Sequence, residues 1–108
     1  MKLTDRCRHS FGSRVRNRGD SYARSGYVTE LTSDGVVVDA EVTGSYENSY
    51  DVGIDFDDCA SGRVLASCTC PYFEGGDLCK HIWAVLRQMD DSGVGFSCPI
   101  PATLYVEP

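Results

Sequence analysis

A chain of 108 residues, 42% hydrophobic and 24% charged, can hold one modest core, and its composition is too ordinary for wholesale disorder. Charge is split along it: residues 1–24 carry seven basic groups against two acidic ones, the remainder three against fourteen, giving a net −6. That balance, with a pI near 4.7, excludes a nucleic-acid assignment made on overall charge and makes the arginine-rich end the first place to look for any phosphate contact.

The opening stretch "MKLTDRCRHSFGSRVRNRG" has charges throughout, so it does not read as a secretory signal. No stretch approaches the ~20 apolar residues of a membrane span. A cytoplasmic location is expected, where thiols stay reduced and a tight Cys/His group more often binds metal than forms disulfides.

In chain order, "SRVRNRGDSYARSG" predicts a helix with Val15, Tyr22 and Ala23 on its apolar edge and Gly26 as its stop. Gly19 is expected to weaken it, so that the helix begins late or breaks there. Its arginines have two readings, a solvated helix face or a phosphate-contacting one, with Arg14, Arg16, Arg18, Arg24 and the distant Lys80 as candidate nucleic-acid contacts.

Sheet signals follow. "YVTELT" is a short strand that leads through Asp34-Gly35, a hairpin dipeptide, into "GVVVDAEVTG". There Val36, Val38, Ala40 and Val42 alternate with polar or outward residues, and "YDVGIDFD" repeats the pattern with Tyr50, Val52, Ile54 and Phe56. "RVLASC" makes the next strand after a turn around Ala60 to Gly62. A last helix is predicted from near Leu78, capped by Asp77, with Leu78, Ile82, Val85, Leu86 and Met89 as its core stripe. The tail from Ser92 to Pro108 predicts no element.

Four metal-ligand types crowd into "SCTCPYFEGGDLCKHIWAVL": Cys68, Cys70, Cys79 and His81. Cys68 and Cys70, two apart at a strand end, project to one side. Cys79 and His81 can converge only where a helix begins, because positions two apart inside a helix face away from each other. Three thiolates and an imidazole suit tetrahedral zinc, and four protein ligands leave no position open for water, which makes the expected Zn2+ single and structural. Lys80 would offset the −1 charge of such a site. A reversible Cys68–Cys70 disulfide leaves His81 unexplained. Cys7, Cys59 and Cys98 read as packing residues or free thiols, with Cys59 as the one to check as a stray ligand.

The C-x-C…C-x-H pattern, flanked by "CTCPYF" and "CKHIWAVL", resembles the SWIM-type zinc finger of prokaryotic proteins. The likeness extends back through "RGDSYARSGYV" and "VTGSYENSYDVGIDF", covering roughly Arg14 to Met89. It implies zinc on Cys68, Cys70, Cys79 and His81, and a role in DNA binding or protein contact of the kind held for modules beside Swi/Snf-type helicase ATPases. This chain has no G-x-x-x-x-G-K-[ST] loop, so no helicase activity carries over.

The expectation is therefore an α+β fold: a small antiparallel β-meander of about four strands with an N-terminal and a C-terminal helix, joined to the sheet by a zinc site. One domain spans 1–108, divided into a basic helical segment (1–25), sheet and finger (26–89) and a tail (90–108). It is expected to be no enzyme, to bind DNA or another protein, and to need neither membrane nor small-molecule substrate. Aromatic residues Tyr72, Phe73 and Trp83 have two readings, a docking patch or packing around the finger. A purely protein-docking module is the alternative function, and a thiol redox protein a more distant one.

Overall fold

The computed structural model describes residues 2–44, 48–94 and 103–108. Strands β1 (Val28–Ser33), β2 (Val37–Thr43), β3 (Ser49–Asp55) and β4 (Arg63–Cys68) pair antiparallel in chain order, the meander that the alternation predicts. Their inward residues, among them Val38, Val42, Val52, Ile54, Val64 and Cys68, are buried, while Asp39 and Asp51 face water. Val36 departs from the expected inward set and is exposed. The turn still holds it, since Asp34 Oδ1 accepts from the N–H groups of Val36 and Val37 at 2.9 and 2.7 Å. That turn runs through Gly35 at φ 96°, a left-handed conformation glycine adopts without a Cβ clash.

A fifth strand, β5 (Tyr105–Glu107), comes from the tail and pairs parallel with β4. Three residues show no alternation to read, and β5 is held by groups far away in sequence. Leu104 N–H donates to the Arg6 carbonyl at 2.9 Å, Val106 N–H to Ser10 Oγ at 3.0 Å, and Arg63 pairs with Glu107 at 2.9 Å.

The last helix covers the inner face of the sheet, and the N-terminal helices pack on that helix. A short α1 (Leu3–Cys7) is followed by a 3₁₀ turn, then α2 (Ser13–Arg24), which ends at Ser25 with Gly26 in the left-handed region as expected. A one-turn α3 (Pro71–Glu74) occupies what reads in the sequence as loop, with Pro71 at the start of a helix, where its missing N–H costs nothing. The last helix, α4 (Lys80–Ser92), is the spine of the core: Ile82, Val85, Leu86 and Met89 are fully buried against the sheet. Leu78, expected in its first turn, precedes it and is only half-buried. Among the described residues no helix is long and apolar enough to cross a membrane.

Gly19 does not break α2. A Cβ placed there would lie 2.6 Å from Trp83 Cδ1 and 2.8 Å from the Lys80 carbonyl oxygen, so glycine is what lets α2 and α4 approach. Asp20, one residue on, accepts from Trp83 Nε1 at 2.8 Å and from Arg87 Nε at 3.0 Å, fixing the register of the two helices. The Trp83 ring itself is buried, which settles its place as packing.

Asp90 links the other end of α4 to α1. Its carboxylate accepts from the N–H groups of Leu3 and Thr4, at 2.8 and 3.0 Å, and from the Thr4 hydroxyl at 2.7 Å. These are the orphan donors of a helix start, met by a side chain from 86 residues away. Asp90→Ala is expected to lose about 1–2 kcal/mol. In a thermal melt followed by circular dichroism that appears as a midpoint lowered by roughly 5–15 °C.

Candidate metal centre

The end of β4, α3 and the start of α4 meet at one corner of the sheet. Cys68 closes β4 and Cys70 follows in extended backbone as the N-cap residue of α3, its sulfur accepting from Phe73 N–H at 3.4 Å. The chain then turns through Gly76, at φ 101°, and returns to α4.

The cap of α4 differs from the expected Asp77. Cys79 itself is the N-cap residue, with extended backbone at φ −100° and ψ 166°, and the helix begins two residues later than Leu78. The reason is geometric: a non-helical Cys79 can face the same way as His81 on the first turn, which two positions inside a helix cannot do.

All four side chains are buried, and their ligand atoms lie within 4.8 Å of one another, the one such group among the described residues. Cys68 Sγ is 3.7 Å from His81 Nδ1. A tetrahedral zinc at ~2.3 Å from sulfur needs donors roughly 3.8 Å apart, so the group requires only a small contraction. None of Cys68, Cys70 and Cys79 is in a disulfide. Cys7 and Cys59 are buried in the core and lie outside the group, which answers the stray-ligand question for Cys59; Cys98 lies outside the described residues.

The electrostatics of the group set its three thiols apart. Cys79 is held well below the usual thiol range by the hydrogen bond from Cys68, helped by His81 and the backbone N–H of Ile82. That same hydrogen bond, together with burial, pushes Cys68 far up, and burial raises Cys70. Without a metal, one thiolate forms easily and the other two resist; a divalent ion would stabilise all three.

The His81 ring lies between two tyrosines, with centroids 5.5 Å from Tyr22 of α2 and 4.7 Å from Tyr50 of β3. Lys80 Nζ sits 5.0 Å over the Tyr22 ring. These tyrosines orient the histidine, and no local signal in the sequence marks them, because their role depends on how α2 and β3 pack on α4.

The arginine set is divided by the fold. Arg14 and Arg18, one turn apart on α2, line a cleft of about 330 Å³ against the Cys/His group, together with Lys80. Arg16 lines a different cleft with Arg8 and Arg87, in the company of Asp5 and Asp20. Arg24 lines neither. The aromatic set divides too: Phe73 packs on the core with Trp83, whereas Tyr72 is 54% exposed at the rim of the first cleft.

An α+β fold whose sheet and terminal helix meet at a buried three-cysteine, one-histidine group has the make-up of a small zinc-binding module. Residues 50–90, from β3 into α4, match the family model of the SWIM zinc finger. Match and cluster together support one structural zinc ion. Of the upstream likeness, residues 14–49 fall outside the matched residues and 50–56 within them. No curated protein and no solved structure matches the chain.

Proposed function

We propose that this chain is a non-catalytic module, stapled by zinc on Cys68, Cys70, Cys79 and His81, that contacts nucleic acid through the face formed by α2 and the ligand loop. In this reading the metal fixes the corner where β4, α3 and α4 meet, and its chemistry is structural: four protein donors leave no position for a substrate or a nucleophilic water. The observation that carries it is the cleft beside the ligand group. Arg14, Arg18 and Lys80 line it without a single carboxylate, in a chain holding sixteen acidic residues. The acidic outer face of the sheet, with Asp39, Glu41, Asp51 and Asp55, would turn phosphate away and orient the partner toward this side. Within a Swi/Snf-type helicase system, the setting implied by the resemblance, the module would supply contact and no ATP hydrolysis.

A second reading, docking to protein alone, is favoured by Leu65 and Tyr105, exposed at 42% and 58% on neighbouring strands β4 and β5. Fluorescence anisotropy with a labelled oligonucleotide, titrated with salt, separates the two. The nucleic-acid reading expects binding at low salt that weakens as salt rises. Absence of binding to both single and double strands at about 50 mM salt would leave only the protein reading.

A further inference from the structure

The cleft between α2 and the ligand loop is lined by cations and aromatic rings together with Cys70, Cys79 and His81. Its cations are Arg14 and Arg18, both exposed, and Lys80; among the described residues none of the three is in an ion pair. Its rings are Tyr50 and Tyr72, with Pro71 between the loop cysteine and Tyr72 in the chain. Tyr50 is committed to the His81 ring, but Tyr72 has no ring partner among the described residues and is 54% exposed. Cations and an open aromatic ring in one groove are the elements with which proteins hold single-stranded nucleic acid: charge follows the backbone and the ring takes a base.

Size and shape decide between strand forms. At about 330 Å³ the cleft is at the small end of ligand pockets and suits one nucleotide-sized group. The two arginines lie along the wall of a concavity, so a phosphate reaches them only if the backbone enters it. A duplex keeps its base faces stacked inside and would offer Tyr72 nothing to stack on. Extruded or single-stranded nucleotides can meet the cations and the ring at once.

We propose that this cleft is a single-strand site, in which Arg14, Arg18 and Lys80 hold the phosphates on either side of one nucleotide and Tyr72 stacks on its base. The inference rests on the nucleic-acid reading of the proposed function and narrows its substrate to unpaired strands. The zinc-loaded full chain binds a labelled single-stranded oligothymidylate, and discriminates against a duplex of equal length. Tyr72→Ala weakens single-strand binding about thirtyfold, the middle of the range for one lost stacking contact. Arg14→Gln with Arg18→Gln lowers the slope of log affinity against log salt by about 1.4, since each phosphate contact on a single strand contributes roughly 0.7. All three side chains are exposed, so zinc content and circular dichroism are expected to match the parent chain.

The arms separate the two levels of the argument. If neither strand form binds, the proposed function fails and the site fails with it. If the duplex binds as tightly as the single strand, and Tyr72→Ala leaves affinity unchanged, the single-strand site alone is overturned. If the arginine pair leaves the salt slope unchanged while binding persists, the phosphates are held elsewhere and this cleft is not the site.

Discussion

Cys79→Ser is expected to cost the chain its fold. Structural zinc sites in small finger peptides bind with apparent free energies of ~10–16 kcal/mol, whereas a whole domain of ordinary size is stable by about 5–15 kcal/mol. With zinc on the proposed four donors, the metal would hold together the end of β4, the α3 turn and the start of α4, the helix on which α1, α2 and strands β1 to β4 pack. A hydroxyl at position 79 removes the most readily ionised of the three thiols and leaves two buried thiols that burial disfavours as anions. Far-UV circular dichroism of Cys79→Ser should therefore show loss of the folded signal along with loss of zinc. Cys59→Ser is the matched comparison: it is also buried but lies outside the ligand group, so zinc is retained with at most a lower melting midpoint. A Cys79→Ser protein that kept both zinc and its melting transition would remove Cys79 from the ligand set.

Gly19→Ala is expected to destabilise the chain although alanine is the better helix former. In the isolated α2 segment the substitution adds up to about 1 kcal/mol of helix propensity. In the folded protein the new methyl meets Trp83 Cδ1 at 2.6 Å, Trp83 Cβ at 2.9 Å and the Lys80 carbonyl at 2.8 Å, all below any ordinary contact. Neither α4 backbone nor a Trp83 ring pinned to Asp20 can yield cheaply, and overpacking of this kind costs about 1–3 kcal/mol. The sign is the informative part. A synthetic peptide of residues 13–24 should gain helicity with alanine while the whole protein loses roughly 5–25 °C of thermal midpoint. Equal or higher stability in the whole protein would show that α2 and α4 do not approach as closely as the structure has them.

These two positions also mark where sequence reading succeeds and where it stops. The Cys68–Cys70 and Cys79–His81 pairs are legible because zinc needs particular residue types at spacings that a strand end and a helix start can satisfy. Strands β2 to β4 are legible because one face is buried, which imposes a period of two. What was missed depends on contacts between distant residues. The start of α1 is capped by Asp90, and β5 is anchored by Arg6 and Ser10, so neither leaves a local pattern. Gly19 reads as a weakness under helix propensity, and only the proximity of Trp83 turns it into a requirement. The shift of the α4 cap from Asp77 to Cys79 has a similar origin, because convergence of the donors outweighs the preference of aspartate for helix starts. The tyrosines around His81 and the division of the arginines between two clefts follow from how α2 lies on α4, which no single segment encodes.

Native mass spectrometry of the purified chain, before and after chelation and paired with circular dichroism, tests the central claim most directly. The account predicts one zinc per chain, removed by the chelator together with the folded signal and restored with it when zinc is returned. A chain that is metal-free and folded would contradict it, and would leave the buried Cys/His group to be explained as thiol chemistry.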